Sequence, residues 1–281
     1  MDGLENVESG ERRKTPSVVA RVGGAALAIL FLLGVTNLIA PHAFDLFLGD
    51  AVTPTPEPTT SKPRAAIVDQ TGLSFPSESF IAEARSLMET AGYTVTYYPP
   101  EEVTISLYRS LPGRGYDLVL FQSHATSEVV VRGGQEASGE IPPGPFLFTT
   151  EPYEKQRHLA LQMTDQVRAS QLFYEDAPEL FAVGPAFVRR SMQGFFPGTT
   201  VIIGGCQSLA APDLARSLLE KGASVVVGWD GMVNLSHNNE AVLYLLEQML
   251  REGASAGEAV DATMAAVGQD PQFQSELKLL E

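Results

Sequence analysis

The sequence predicts an α/β fold: a doubly wound, mainly parallel sheet with helices on both faces, preceded by one transmembrane helix. Three observations predict it. Short apolar runs of strand type alternate with segments of helical period, a long uncharged run lies near the N-terminus, and a Pro- and Thr-rich stretch separates the two. The 281 residues divide accordingly into a cytoplasmic segment 1–21, a transmembrane helix 22–40, a stalk 41–63 and an α/β domain 64–281.

The run 22–40 carries no charged side chain, and about 20 such residues cross a bilayer core as a helix. A cleavable signal peptide has a shorter apolar region, about 7 to 15 residues, so an uncleaved anchor is expected. Arg12, Arg13, Lys14 and Arg21 precede the run, and no Lys or Arg follows it until Lys62. That bias puts the N-terminus in the cytoplasm and the C-terminal domain outside the cell membrane, as a single-pass protein whose first partner is the lipid bilayer. Residues 52–63, rich in Pro and Thr, cannot bury a core and favour an extended stalk. A net charge of −15 and a pI near 4.7 speak against nucleic acid as a partner, since binding phosphate needs a basic face.

Residues 65–68 show a short buried-strand pattern, after which Phe80, Ala84, Leu87, Met88 and Ala91 recur at helical spacing until Gly92 closes the helix. A second strand at 94–98 completes a βαβ start. The third strand, 118–121, runs into Gln122-Ser123-His124. A long insert from 126 to 198 holds strand-like and helix-like pieces such as Leu159-Ala160-Leu161, and it is expected to wall one side of a cleft. The fourth strand, 200–203, leads to Cys206, and Pro212 and Gly222 bracket the helix that follows. A fifth strand, 224–227, leads to Trp229 and Asp230, and helical patterns around 241–250 and 256–266 finish the chain. In a flavodoxin-like order, 2-1-3-4-5, strands three and four are neighbours about 4.8 Å apart whose carboxyl ends open into one crevice.

Reactive groups collect at that carboxyl edge, and the one cysteine of the chain, Cys206, stands there behind Gly204 and Gly205. The two glycines are expected to turn the backbone sharply and leave room beside the thiol for a substrate. A lone thiol forms no internal disulfide, so its alternatives are nucleophile or small buried hydrophobe. His124 ends the neighbouring strand. An imidazole beside a thiol holds it as thiolate or accepts its proton, and the sulfur then attacks a carbonyl carbon. The other histidines compete poorly: His42 adjoins the membrane, His158 lies in the insert, and His237 opens a helix as a helix-start residue or a rival base. No cofactor and no metal-ligand set is expected.

A strand ending in His, a strand ending in a small residue and Cys, and the segment Gly222-Ala223-Ser224-Val225-Val226-Val227-Gly228-Trp229-Asp230 resemble the caspase-like cysteine peptidases, above all their CHAT and separase branch. Gly253-Ala254-Ser255-Ala256-Gly257-Glu258-Ala259 corresponds to a Gly-x-Ser-x-x-Glu-Ala stretch of that branch, and the resemblance covers about 65–264. It implies a caspase-like fold and an endopeptidase acting on protein or peptide, with His124 as base and Cys206 as nucleophile. It further implies the backbone N–H groups of Cys206 and Ala125 as oxyanion donors, and Asp230 in a pocket for a basic residue before the scissile bond. The family usually has His-Gly; Ala125 keeps the N–H but loses glycine's conformational freedom.

Two other readings stay open. Gly204-Gly205-Cys206-Gln207-Ser208 also resembles the nucleophile elbow of an amidotransferase or hydrolase, in which the histidine follows the nucleophile and His237 becomes the base; Ser208 stands where the elbow usually has glycine. The other is a membrane-tethered binding module that keeps the fold without chemistry.

Overall fold

The computed structural model describes residues 61–126, 144–172, 174 and 176–281. The expected transmembrane helix 22–40, its flank 1–21, His42 and nearly all of the stalk lie outside the described residues. Among the described residues no helix is long and apolar enough to cross a membrane.

The first apolar run forms β1 (Arg64–Asp69), and α1 (Glu78–Thr90) buries Phe80, Ala84, Leu87 and Met88 along one stripe. β2 (Thr94–Tyr98), α2 (Ile105–Ser110) and β3 (Leu118–Gln122) follow. The insert builds β4 (Ala125–Thr126), β5 (Phe146–Pro152), α3 (Leu159–Gln162), β6 (Val167–Gln171), β7 (Glu179–Val183) and α4 (Pro185–Arg190). β8 (Thr200–Gly204), α5 (Asp213–Glu220), β9 (Val225–Trp229), α6 (Leu235–Leu250), α7 (Ala256–Ala266) and β10 (Leu277–Leu280) come last. α6 begins well before the apolar pattern at 241, because Asn234 caps it: its Oδ1 accepts the Ser236 N–H at 3.1 Å.

The main sheet has the order β10-β9-β8-β3-β1-β2, parallel throughout except for the antiparallel pair β9–β10. Apart from β10 this is the order expected for the five apolar runs, with β3 hydrogen-bonded to β8. Along each strand, successive side chains go to opposite faces. Ala66, Val68, Val119, Phe121, Val201 and Ile203 enter a core closed by α2, α4 and α5. Ala65, Ile67, Leu118, Leu120, Ile202 and Val227 enter the other core, closed by α1, α6 and α7. Burial on both faces is why these strands read as continuous apolar runs.

The insert forms a second sheet, β4-β5-β7-β6, antiparallel throughout. Leu147, Val167, Phe181 and Val183 on its inner face join the core under α2, α4 and α5, while Phe146, Phe148 and Ala182 make a small cluster on its outer face. The helix-like piece at Leu159-Ala160-Leu161 is a single short turn, α3.

Candidate active site

Gln122 of β3 is in register with Gly204 of β8, so Ser123-His124 and Gly205-Cys206 leave the sheet side by side. At this carboxyl edge His124 and Cys206 line one cavity of about 320 Å³. Thr71 and Phe75 come to it from the loop after β1, Met232, Val233 and Asn234 from between β9 and α6, and Gln272 and Phe273 from between α7 and β10. Among the described residues no hydrogen bond joins the imidazole to the thiol.

Gln70, buried just past β1, holds His124 in place. Its Oε1 accepts the His124 backbone N–H at 2.9 Å and its Nε2 donates to the Thr149 carbonyl at 3.3 Å, so the histidine is tied to both sheets. The ring lies edge-on to Phe75 and Phe148, with centroids 5.6 and 5.9 Å away. Burial among these groups lowers the imidazole pKa to about 4, so His124 is neutral near pH 7. Its Nε2 is 3.2 Å from Ser74 Oγ, which in turn donates to the Thr71 carbonyl at 3.2 Å. A hydroxyl has a single proton. With that proton on the Thr71 carbonyl, Ser74 Oγ is an acceptor, Nε2 carries the ring hydrogen and Nδ1 keeps a free lone pair.

Cys206 follows a tight approach of two strand ends. A Cβ on Gly205 would stand 1.8 Å from the Ser123 carbonyl oxygen, and one on Gly204 2.7 Å from Gln122 Oε1. The space these glycines leave is therefore filled by the neighbouring strand end. Gln207 then takes a left-handed φ of 54° while its N–H donates to the Gly231 carbonyl at 2.7 Å. Ser208 is fully buried; its Oγ donates to the Ile203 carbonyl and accepts the Trp229 N–H at 2.9 Å, tying β8 to β9. Cys206 Sγ lies 3.4 Å from both the carbonyl and the N–H of Val233. Burial pushes the thiol pKa up, the Val233 and Cys206 N–H groups oppose that, and the charge of Asp270 adds to it. The thiol is protonated at neutral pH. Desolvation keeps both groups uncharged, so of the two expected arrangements it favours an imidazole that accepts the thiol proton over one that holds a thiolate.

No family model matches the chain, and no curated protein matches it. Among solved structures, the crystal structure of the Arg-specific cysteine proteinase gingipain R is similar at a TM-score of 0.40 and 10% identity, over 74% of this chain and 44% of that one. The complex of Porphyromonas gingivalis RgpB pro- and mature domains is similar at 0.40 and 9% identity, with the same coverage of 74% and 44%. The match thus spans less than half the length of those chains.

The remaining expected residues lie elsewhere. Ala125 is buried at the start of β4 opposite Leu147, outside the cavity lining. Asp230 stands just past β9, beside the edge strand β10: its Oδ1 accepts the Glu276 N–H at 2.8 Å and Lys278 Nζ lies 3.9 Å from Oδ2, and it does not line the cavity. His237 is also absent from the lining; its ring packs on Trp229 at 5.6 Å with Nε2 3.1 Å from the Gly268 carbonyl. His158 pairs with Glu151 at 3.2 Å in the insert.

Apart from Trp229, the residues that brace the cavity walls carry no motif. Trp229 Nε1 donates to Asn238 Oδ1 (2.9 Å), Asn238 Nδ2 to Gln122 Oε1 (3.3 Å), Gln122 Nε2 to Asn239 Oδ1 (2.8 Å) and Asn239 Nδ2 to Ser77 Oγ (2.8 Å). This chain of amides fixes the ends of β3 and β9 against the starts of α1 and α6. Asp270 accepts the N–H groups of Asn234 (2.7 Å), Gln272 (2.9 Å) and Phe273 (2.8 Å). Burial works to raise its pKa, but these amides and His237 carry it below the ordinary carboxylate value. Gln70 and Gln122 were findable by the rule that singled out His124, a polar residue ending an apolar strand; Asp270 gave no such signal.

Proposed function

We propose that the chain is a membrane-anchored, caspase-like cysteine endopeptidase in which Cys206 attacks the carbonyl carbon of a peptide bond and His124 handles the proton. The observation that carries this is the shared cavity: the one cysteine and a strand-end histidine reach it from adjacent parallel strands. Because both groups are neutral at rest, the thiol proton moves as the sulfur attacks. The Sγ–C bond forms, the proton passes to Nδ1 of His124 and then to the leaving amine nitrogen, and the C–N bond breaks to leave a thioester. Water then attacks the thioester, giving one proton through His124 to Sγ and releasing the carboxylic acid. Both side chains line that one cavity, and contacts between such groups often tighten only in the complex. The Cys206 and Ala125 N–H groups are the proposed oxyanion donors; the Ala125 nitrogen lies 3.8 Å from where a Gly205 Cβ would stand.

Turnover of a diverse peptide library by the full-length chain tests this. Cys206→Ala is expected to abolish cleavage and His124→Ala to lower kcat/KM by roughly 10²–10⁴-fold, while His237→Ala costs little. The reverse order of the two histidines would give the base to the elbow arrangement. One observation favours a binding module instead: a thiol pushed up and an imidazole pushed down are not the pair of a pre-activated nucleophile. No cleavage by the unaltered chain across the library would overturn the peptidase and favour that module.

A further inference from the structure

Resting on the peptidase function proposed above, we infer that the substrate residue contributing the attacked carbonyl carries a large, uncharged apolar side chain, and that Phe75, Met232, Val233 and Phe273 receive it. These four side chains line the cavity beside Cys206, and they come from three separate loops. Phe75 and Phe273 keep 38% and 42% of their surface exposed, although most large apolar side chains of the described residues are buried. Exposed aromatic rings grouped at a cavity mouth mark a binding surface more often than scattered ones do. A volume of about 320 Å³ is at the low end for small-ligand sites, about 300–1,000 Å³, and suits one side chain with its adjoining backbone.

The polar groups along the cavity are neutral, and several are already committed. Among the described residues, no Asp, Glu, Lys or Arg lines it. Asn238 is spent on Trp229 and Gln122, Asn234 on capping α6, and Ser123 on backbone carbonyls. The acids that flank it are committed: Asp270 is fully buried with both oxygens occupied by backbone amides, Asp69 accepts from Thr71, Gly72 and Tyr97, and Asp230 faces Lys278. A guanidinium, ammonium or carboxylate entering here would shed water and find no partner of opposite charge. An apolar side chain meets no such cost and covers apolar surface instead.

Fluorogenic peptide libraries test this with the full-length chain, fixing the residue before the cleaved amide as Leu, Met, Phe, Ala, Arg, Lys or Asp and randomising the rest. The expected result is a kcat/KM for Leu, Met and Phe at least about 100-fold above that for Arg, Lys and Asp. Met232→Glu should raise the Arg-to-Leu ratio by more than about tenfold, since it supplies the missing countercharge. Phe273→Ala alters a half-exposed position that tolerates truncation, and it should narrow the preference for Phe over Ala. Cleavage that favours Arg, Lys or Asp overturns the inference and leaves the peptidase standing. Cleavage of no library at all, with folded protein, overturns the peptidase and the inference with it.

Discussion

Gly205 is the residue on which the site's geometry depends most directly. A Cβ at this position would stand 1.8 Å from the Ser123 carbonyl oxygen, a backbone atom that cannot turn aside. Gly204 meets a side-chain atom instead, Gln122 Oε1, at 2.7 Å. Gly205→Ala should therefore destabilise by about 1–3 kcal/mol or more and exceed Gly204→Ala, an order that urea midpoints check. His124 carries a pH dependence of defined sign. Its folded pKa of about 4 lies below the unfolded value near 6.5, so between the two only the unfolded chain binds the proton. Stability is full above pH 6.5 and declines as pH falls towards 4, by at most about 3 kcal/mol from this group. Urea titrations at about pH 4.5 and 7 should show a smaller drop for His124→Phe than for the unaltered chain. A kcat/KM profile whose acid limb lies near 6.5 instead of 4 would contradict the lowered pKa of the imidazole.

At the level of elements, β1, β3, β8 and β9 were legible because a strand inside a parallel sheet is buried on both faces and so has to be apolar, while the half-buried edge strand β2 was placed by the βαβ pattern. The second sheet was not. Its strands carry Thr149, Glu151, Arg168, Ser170 and Glu179 among the apolar residues, a mixture that loops also show. β10 escaped for a different reason: four residues at a sheet edge are too few to display a period. Loop walls are set by the same long-range logic, and Asp270 is the clearest case. It joins the stretch before α6 to the turn before β10 through three amides. Asp270→Ala should cost about 2 kcal/mol and speed hydrogen exchange at Asn234, Gln272 and Phe273. Unchanged exchange at those amides would remove the bridging role.

For the whole molecule, the charge of −15 and the run 22–40 are global properties of the sequence. The proposed topology follows from the run and from the Arg and Lys residues ahead of it. Protease added to intact cells should release the C-terminal domain by cutting in 41–63; a domain protected until the membrane is broken would reverse the orientation.

By itself the sequence determined which five short segments form the parallel part of the main sheet, and it placed His124 and Cys206 at the ends of two of them, because strand and helix periods are local. Tertiary structure alone decided that Asp230 leaves the cavity for Lys278, that the thiol and imidazole are both neutral, and that Asp270 and Asn238 brace the walls. Those outcomes depend on desolvation and on hydrogen bonds between residues far apart in the chain, 36 positions for Asn234 and Asp270 and 162 for Ser77 and Asn239. Such contacts exist only after the chain has closed on itself, and no local pattern encodes them.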